Sequence, residues 1–371
     1  MAIMKFFRKI KEFVPIGAMI MLLLTIISAI ILIIVRASTS FADFFNYHIS
    51  APFRFLMAKL TTWIPFSVAE AFIILIPVWV AILVYASIKC AKKGSKSSVR
   101  LLSCILSAVL FVFITFVWSY SSGFSTTTLD KKLQMERNKV SADELYETAL
   151  WLTENINELA PEILYDETGA SVMNYSYNEM SDRLCDAYDT FVEKYGVLRT
   201  FDSNLKPIIL SEPFTYTHIS GVYTFMTGES NINVNYPDFV IASSGAHELA
   251  HQRGIAREDE ANFIAFLVCV GSNDPFIRYS GYLDVYQSVM NALYSADKEL
   301  YKSASGALCK EAYLDRVSYS QFFKKYAQSK TSEISNSINN SYLQANGQQS
   351  GTKSYGMVTD LTVAYYNKYV K

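Results

Sequence analysis

The chain has 371 residues, a formal net charge of −1, 51% hydrophobic residues and only four histidines. That balance offers no basic face to gather phosphates, which sets nucleic acid aside as a partner, and the length allows one large or two ordinary domains. The cysteines (Cys90, Cys104, Cys185, Cys269 and Cys309) are odd in number and form no CxxC pair, so neither a disulfide framework nor a thiolate zinc site is readable.

From Phe13 to Val35 the chain carries no charge, long enough to cross roughly 30 Å of hydrocarbon as a helix. The run exceeds the apolar core of a cleaved signal peptide and reads as an uncleaved anchor. A second uncharged run covers Ala71 to Ile88, with Pro77 tolerated inside it because neighbouring helices can satisfy the freed carbonyl. A third runs from Leu101 to Tyr120 and ends in Trp118 and Tyr120, rings suited to the headgroup level. Three transmembrane helices, at about 13–35, 71–88 and 101–120, are therefore expected within a lipid bilayer.

Lys5, Arg8, Lys9 and Lys11 precede the first span, and Lys89, Lys92, Lys93, Lys96 and Arg100 separate the second from the third. The intervening loop holds only Arg36, Arg54 and Lys59. Basic residues resist translocation, so the N-terminus belongs in the cytoplasm and everything after about Ser121 outside the cytoplasmic membrane. The chain then divides into a 1–121 anchor and a 122–371 extracytoplasmic domain. The aromatic loop between spans one and two is expected in the interface or folded against the bundle, with His48 as an interfacial residue rather than a ligand.

After a polar joint (SSGFSTTT), Ala142 to about Leu159 has helical spacing, with Ser141 and Glu144 as a capping box. Tyr175 to Tyr195 gives a second amphipathic helix. Short strands are expected from Pro207 through Phe225, and Gly228 to Asn235 alternates like an exposed edge strand. Helix then dominates to the C-terminus, apart from polar breaks near Asn336–Asn340 and Asn346–Thr352. The fold class is mainly α with a small β-sheet (α+β).

His247 and His251 in HELAH stand four residues apart, so on a helix both imidazoles leave one face and suit one zinc ion. Glu248 sits where its carboxylate can take a proton from water rather than bind metal, and Gly254 ends the helix. A hydrolytic zinc site needs three protein ligands and an open position. A second helix running back antiparallel would bring Glu258 or Glu260 over His251. Glu258 is preferred because Asn262 follows on the same face as an outer partner for a ligand imidazole, and Glu260 is the runner-up. Ala265, Phe266 and Leu267 read as core. Tyr279, Tyr223 and His218 are candidates to stabilise an oxyanion, and the Asn231–Asn235 strand is a candidate to pair with an extended peptide substrate.

The segment HELAHQRGIAREDEANFIAFL, with ISGVYTFMTGESNINVNYPD before it and FIRYSGYLDVYQ after it, resembles a bacterial membrane family carrying domain of unknown function 3810. The closing YLQANGQQSGTKSYGMVTDLTVAYY is similar to that family as well. The resemblance implies a gluzincin-type metallopeptidase, in which a Glu on the helix after HExxH completes the site. The EDEAN stretch from Glu258 to Asn262 fits one form of that motif, with Asn262 where Asp is often found. It thus implies His247, His251 and Glu258 as zinc ligands, Glu248 as base and a peptide or protein substrate. The alternative is a non-catalytic zinc-binding membrane sensor or scaffold, and a third is an envelope anchor without metal.

Overall fold

The computed structural model describes residues 12–327 and 329–371, so the basic cluster Lys5, Arg8, Lys9 and Lys11 lies outside the described residues. Helix α1 (Ile16–Ala37) and helix α6 (Ser95–Ser119) are each long and apolar enough to cross a membrane, and they pack on one another. Trp118 donates its indole N–H to Ser28 Oγ at 3.0 Å between them, a polar tie suited to a lipid-facing helix pair.

Among the described residues two such helices are found, not the expected three. The apolar run around Ala71–Ile88 forms α4 (Val68–Ile74) and α5 (Ile76–Lys93), bent by 57° at Leu75, and makes a third span only if the pair is taken as one. The cause is Pro77, which has no N–H and whose ring opposes the carbonyl four residues back; both effects break the helix at that turn.

The loop between the first two apolar segments folds into α2 (Thr39–Phe45), a π-helical turn (Asn46–Ser50) and α3 (Ala51–Thr62), which pack against the C-terminal end of α6 and on the sheet. His48 is exposed there between the rings of Phe44 and Tyr47. The joint after α6 is buried: Ser121, Ser122 and Gly123 form a tight turn in which a Gly123 side chain would meet the Gly254 carbonyl at 2.6 Å.

Beyond a short turn, α7 (Leu129–Lys132), the chain forms α8 (Ala142–Leu159) and α9 (Tyr177–Tyr195). The capping box of Ser141 and Glu144 is present at the start of α8. The sheet has three strands, β1 (Leu205–Pro207), β2 (Gly221–Thr224) and β3 (Glu229–Ile232), with the turn-long α10 (Ser211–Thr215) between the first two. Its order is β1-β3-β2, with β1 parallel and β2 antiparallel to β3. The stretch from Gly228 is therefore the sheet's centre and not an exposed edge: all four β3 residues are buried, and their polar side chains bond within the protein, as where Ser230 Oγ donates to the Glu248 carbonyl at 2.9 Å.

Two carboxylates fasten α4 to this sheet. Glu229 accepts the Val68 and Ala69 amides and pairs with buried Lys206 at 2.6 Å, while Glu70 accepts the Ile209 and Leu210 amides. Helices α11 (Asp238–Gln252), α12 (Glu258–Val270) and α13 (Pro275–Ala296) pack in sequence behind the sheet and hold the core, in which Phe263, Ile264 and Phe266 are buried. Then follow α14 (Lys298–Gly306), α15 (Lys310–Lys324), α16 (Lys330–Ala345) and α17 (Val358–Tyr365). The expected break at Asn336–Asn340 is absent, because α16 continues through it and turns Asn336 and Asn339 towards a cleft.

Candidate metal centre

Helix α11 lies on β2 and β3 and carries both histidines on one face, with ring centroids 4.5 Å apart at 90°. Gly254 has φ +100°, which turns the chain after α11 and lets α12 return against it. Arg257 directs its guanidinium to the Phe124 and Thr126 carbonyls, and the next residue, Glu258, enters the site. Its Oε2 lies 3.2 Å from His247 Nε2 and 3.4 Å from His251 Nε2. One ligand atom from each of the three residues thus falls within 4.8 Å of the others.

These atoms are electronically matched to a cation. His251 Nδ1 is 2.7 Å from the Ile255 carbonyl, which can only accept, so the proton is assigned to Nδ1 and the Nε2 lone pair is left facing the site. Glu258 Oε2 is buried and has no hydrogen bond in spite of its two close imidazoles. A buried carboxylate oxygen without a donor is costly, and a divalent ion among three such atoms removes the cost. The donor set, two imidazoles and a carboxylate, suits zinc. Burial opposes charge on His251, but Glu258 and Glu248 outweigh it and push the imidazole up to about 9. Burial likewise opposes charge on Glu258, yet both histidines hold it well below the usual carboxylate range.

Glu248 is 5% exposed and borders a cleft of about 560 Å³ that it shares with His247 and Asn262. Burial raises its pKa against the pull of both histidines, and the Tyr223 amide on β2 donates to it. Gly221 on the same strand leaves the space it occupies: a Cβ there would lie 2.6 Å from Glu248 Cγ and 2.7 Å from Oε1. Gly221→Ala should therefore displace the carboxylate and lower any Glu248-dependent turnover by roughly 10²-fold while bound metal stays unchanged; parallel kinetics and metal analysis check both halves.

The other sequence candidates are distributed differently. Glu260 turns away from the histidines, accepts the Leu129 amide at 2.9 Å and pairs with Arg257 at 2.9 Å, so it is not positioned as the third ligand. Tyr279 is fully buried and donates to Asp315 at 2.7 Å, outside the cleft, which removes it as an oxyanion donor. His218 lines the cleft, its Nε2 donating to the Tyr326 carbonyl at 2.7 Å. The Tyr223 hydroxyl is buried without a partner, its ring against Tyr120. Because β3 is central, the Asn231–Asn235 segment has no free edge for a peptide; β2 supplies that edge, and its first residue borders the cleft.

Two further residues join the site without any local signal in the sequence. The Tyr120 hydroxyl, one residue beyond α6, lies 2.9 Å from His251 Nδ1. Arg54, 1% exposed, donates to the Ser119 carbonyl at the end of α6 and to the Arg253 carbonyl at the end of α11. One guanidinium thus ties the C-terminal end of the long apolar helix α6 to the helix bearing the histidines.

No curated protein and no solved structure matches the chain. The family described as a protein of unknown function, DUF3810, matches residues 47–363, from the π-helical turn through the sheet and the histidine helix to α17. With that match over most of its length, the chain belongs to the DUF3810 family.

Proposed function

We propose that this protein is a membrane-anchored, gluzincin-like zinc metallopeptidase that hydrolyses peptide bonds outside the cytoplasmic membrane. The observation that carries the reading is the convergence of His247 Nε2, His251 Nε2 and an unpartnered Glu258 oxygen beside a cleft that also holds Glu248. Bound there, zinc would supply a Lewis acid that lowers the pKa of water and polarises a carbonyl. Glu248 then takes a proton from the attacking water and returns it to the leaving amine. Its burial favours this, since a carboxylate raised from its ordinary range is better matched to proton transfer near neutral pH. An extended substrate can add to the outer edge of β2, whose main chain passes directly over Glu248. The outward orientation is supported by Lys89, Lys92, Lys93, Lys96 and Arg100, which flank the turn between α5 and α6, a placement that favours the cytoplasmic side.

The test uses the full chain in detergent with casein and a peptide library. Wild type should cleave, and Glu248→Gln should retain zinc but lose roughly 10² to 10⁴ in rate. Equal inactivity of both proteins at full zinc occupancy would instead favour a second reading, a zinc-binding membrane sensor. That reading has its own support in the Tyr120–His251 contact, which puts a metal ligand in touch with a membrane helix.

A further inference from the structure

The cleft beside His247 and Glu248 is walled mainly by hydroxyl and amide side chains, and among the described residues no lysine or arginine lines it. It contains one carboxylate that the zinc chemistry does not use, Asp284 on α13. Helix α13 is otherwise a core helix at this level: Leu283 and Val285, on either side, are each 1% exposed. Asp284 alone of this helix lines the cleft, where it is exposed. A carboxylate exposed in a cleft wall that holds no lysine or arginine is open to pairing, which points to a cation arriving with the ligand. Charge counting agrees. With zinc in place, Glu248, Glu258 and Asp284 outweigh the metal by one negative charge, so a substrate carboxylate or phosphate would meet repulsion and an ammonium group would meet attraction.

We propose that Asp284 forms a subsite for the primary ammonium group of the substrate, an N-terminal amine or a lysine-like side chain, and so makes the cleft selective for amine-bearing peptides. This proposal rests on the metallopeptidase reading and names its substrate class.

The probes are lysine hydroxamate, whose hydroxamate chelates the metal, and its Nα,Nε-diacetyl derivative, which differs by loss of both positive charges. Each is titrated calorimetrically into full-length protein in detergent near pH 7.5. Wild type should bind the free amine about tenfold or more tightly than the diacetyl compound, a difference of about 1.4 kcal/mol. In Asp284→Asn the ratio should fall to near one with the diacetyl affinity unchanged, whereas Asp284→Glu should keep the preference; zinc content equal to wild type shows that each variant has folded. Equal binding of the two compounds by wild type, or a preference that survives in Asp284→Asn, overturns the subsite and leaves the metal centre standing. Failure of both hydroxamates to bind the zinc-loaded protein overturns the metal centre and the subsite together.

Discussion

Full-length protein purified without chelator should carry one zinc ion per chain, and His251→Ala should weaken zinc binding by on the order of a thousandfold or more. The size follows from what is removed: loss of an outer partner typically costs roughly 10- to 100-fold in affinity, and loss of a ligand atom costs more. His251 is held on both sides. Its Nδ1 is anchored by the Ile255 carbonyl and lies beside the Tyr120 hydroxyl, so its Nε2 is aimed before any ion arrives. Without it, two ligands from one turn of α11 and the opening of α12 remain, too few for a closed three-point site. The imidazole is 6% exposed, so the alanine also leaves a void, and thermal stability has to be followed beside metal content. Elemental analysis and competition with a chromophoric chelator provide the measurement. A wild type free of zinc after loading, or a His251→Ala protein with the same affinity, would refute the proposed centre.

Arg54→Ala is expected to destabilise the protein by about 3 to 5 kcal/mol, lowering Tm by on the order of 10 °C. The guanidinium makes four hydrogen bonds, to both oxygens of Asn46 and to the carbonyls of Ser119 and Arg253, at 2.6 to 3.3 Å. Its removal strands acceptors in a buried place, each worth roughly 1 to 3 kcal/mol, and relief from burying the arginine itself offsets part of the sum. Arg54→Lys should recover little, because one ammonium cannot span carbonyls that belong to separate helix ends. Differential scanning fluorimetry in detergent reads the effect, and zinc content should fall with it because Arg253 lies two residues past His251. A Tm within two degrees of wild type, roughly the noise of a half-kcal/mol change, would show that the tie is inert.

The site is legible in the sequence where its geometry is local. The i, i+4 spacing of His247 and His251 places both rings on one helical face, and a glycine turn followed by acids is enough to bring Glu258 back over them. The choice of Glu258 over Glu260 follows helix phase, since Glu260, two residues on, points to Leu129 and Arg257. What depends on distant pairing is not legible. Whether Glu229–Ile232 is an edge or a centre is decided by β1, which comes from another part of the chain. Tyr120, Arg54 and Asp284 reach the histidines through packing across tens to hundreds of residues, with no periodicity to announce it. Pro77 is visible in the sequence and tolerable inside a membrane helix, yet the helix here breaks at Leu75. The asparagines of α16 carry the composition of a break, but a polar cleft gives amides on a helix a use that overrides their weak propensity.

The contact of Tyr120 with His251, together with the clasp of Arg54 on Arg253, bears on how the protein must be handled. The customary route to a soluble fragment, cutting the chain at about Ser121 beyond its last long apolar helix, would discard both residues along with Glu70 and its hold on the sheet. Such a fragment would be a poor witness: silence from it would speak only of missing masonry. Nanodiscs or mild detergent around the intact chain are the preparations in which a catalytic measurement has meaning.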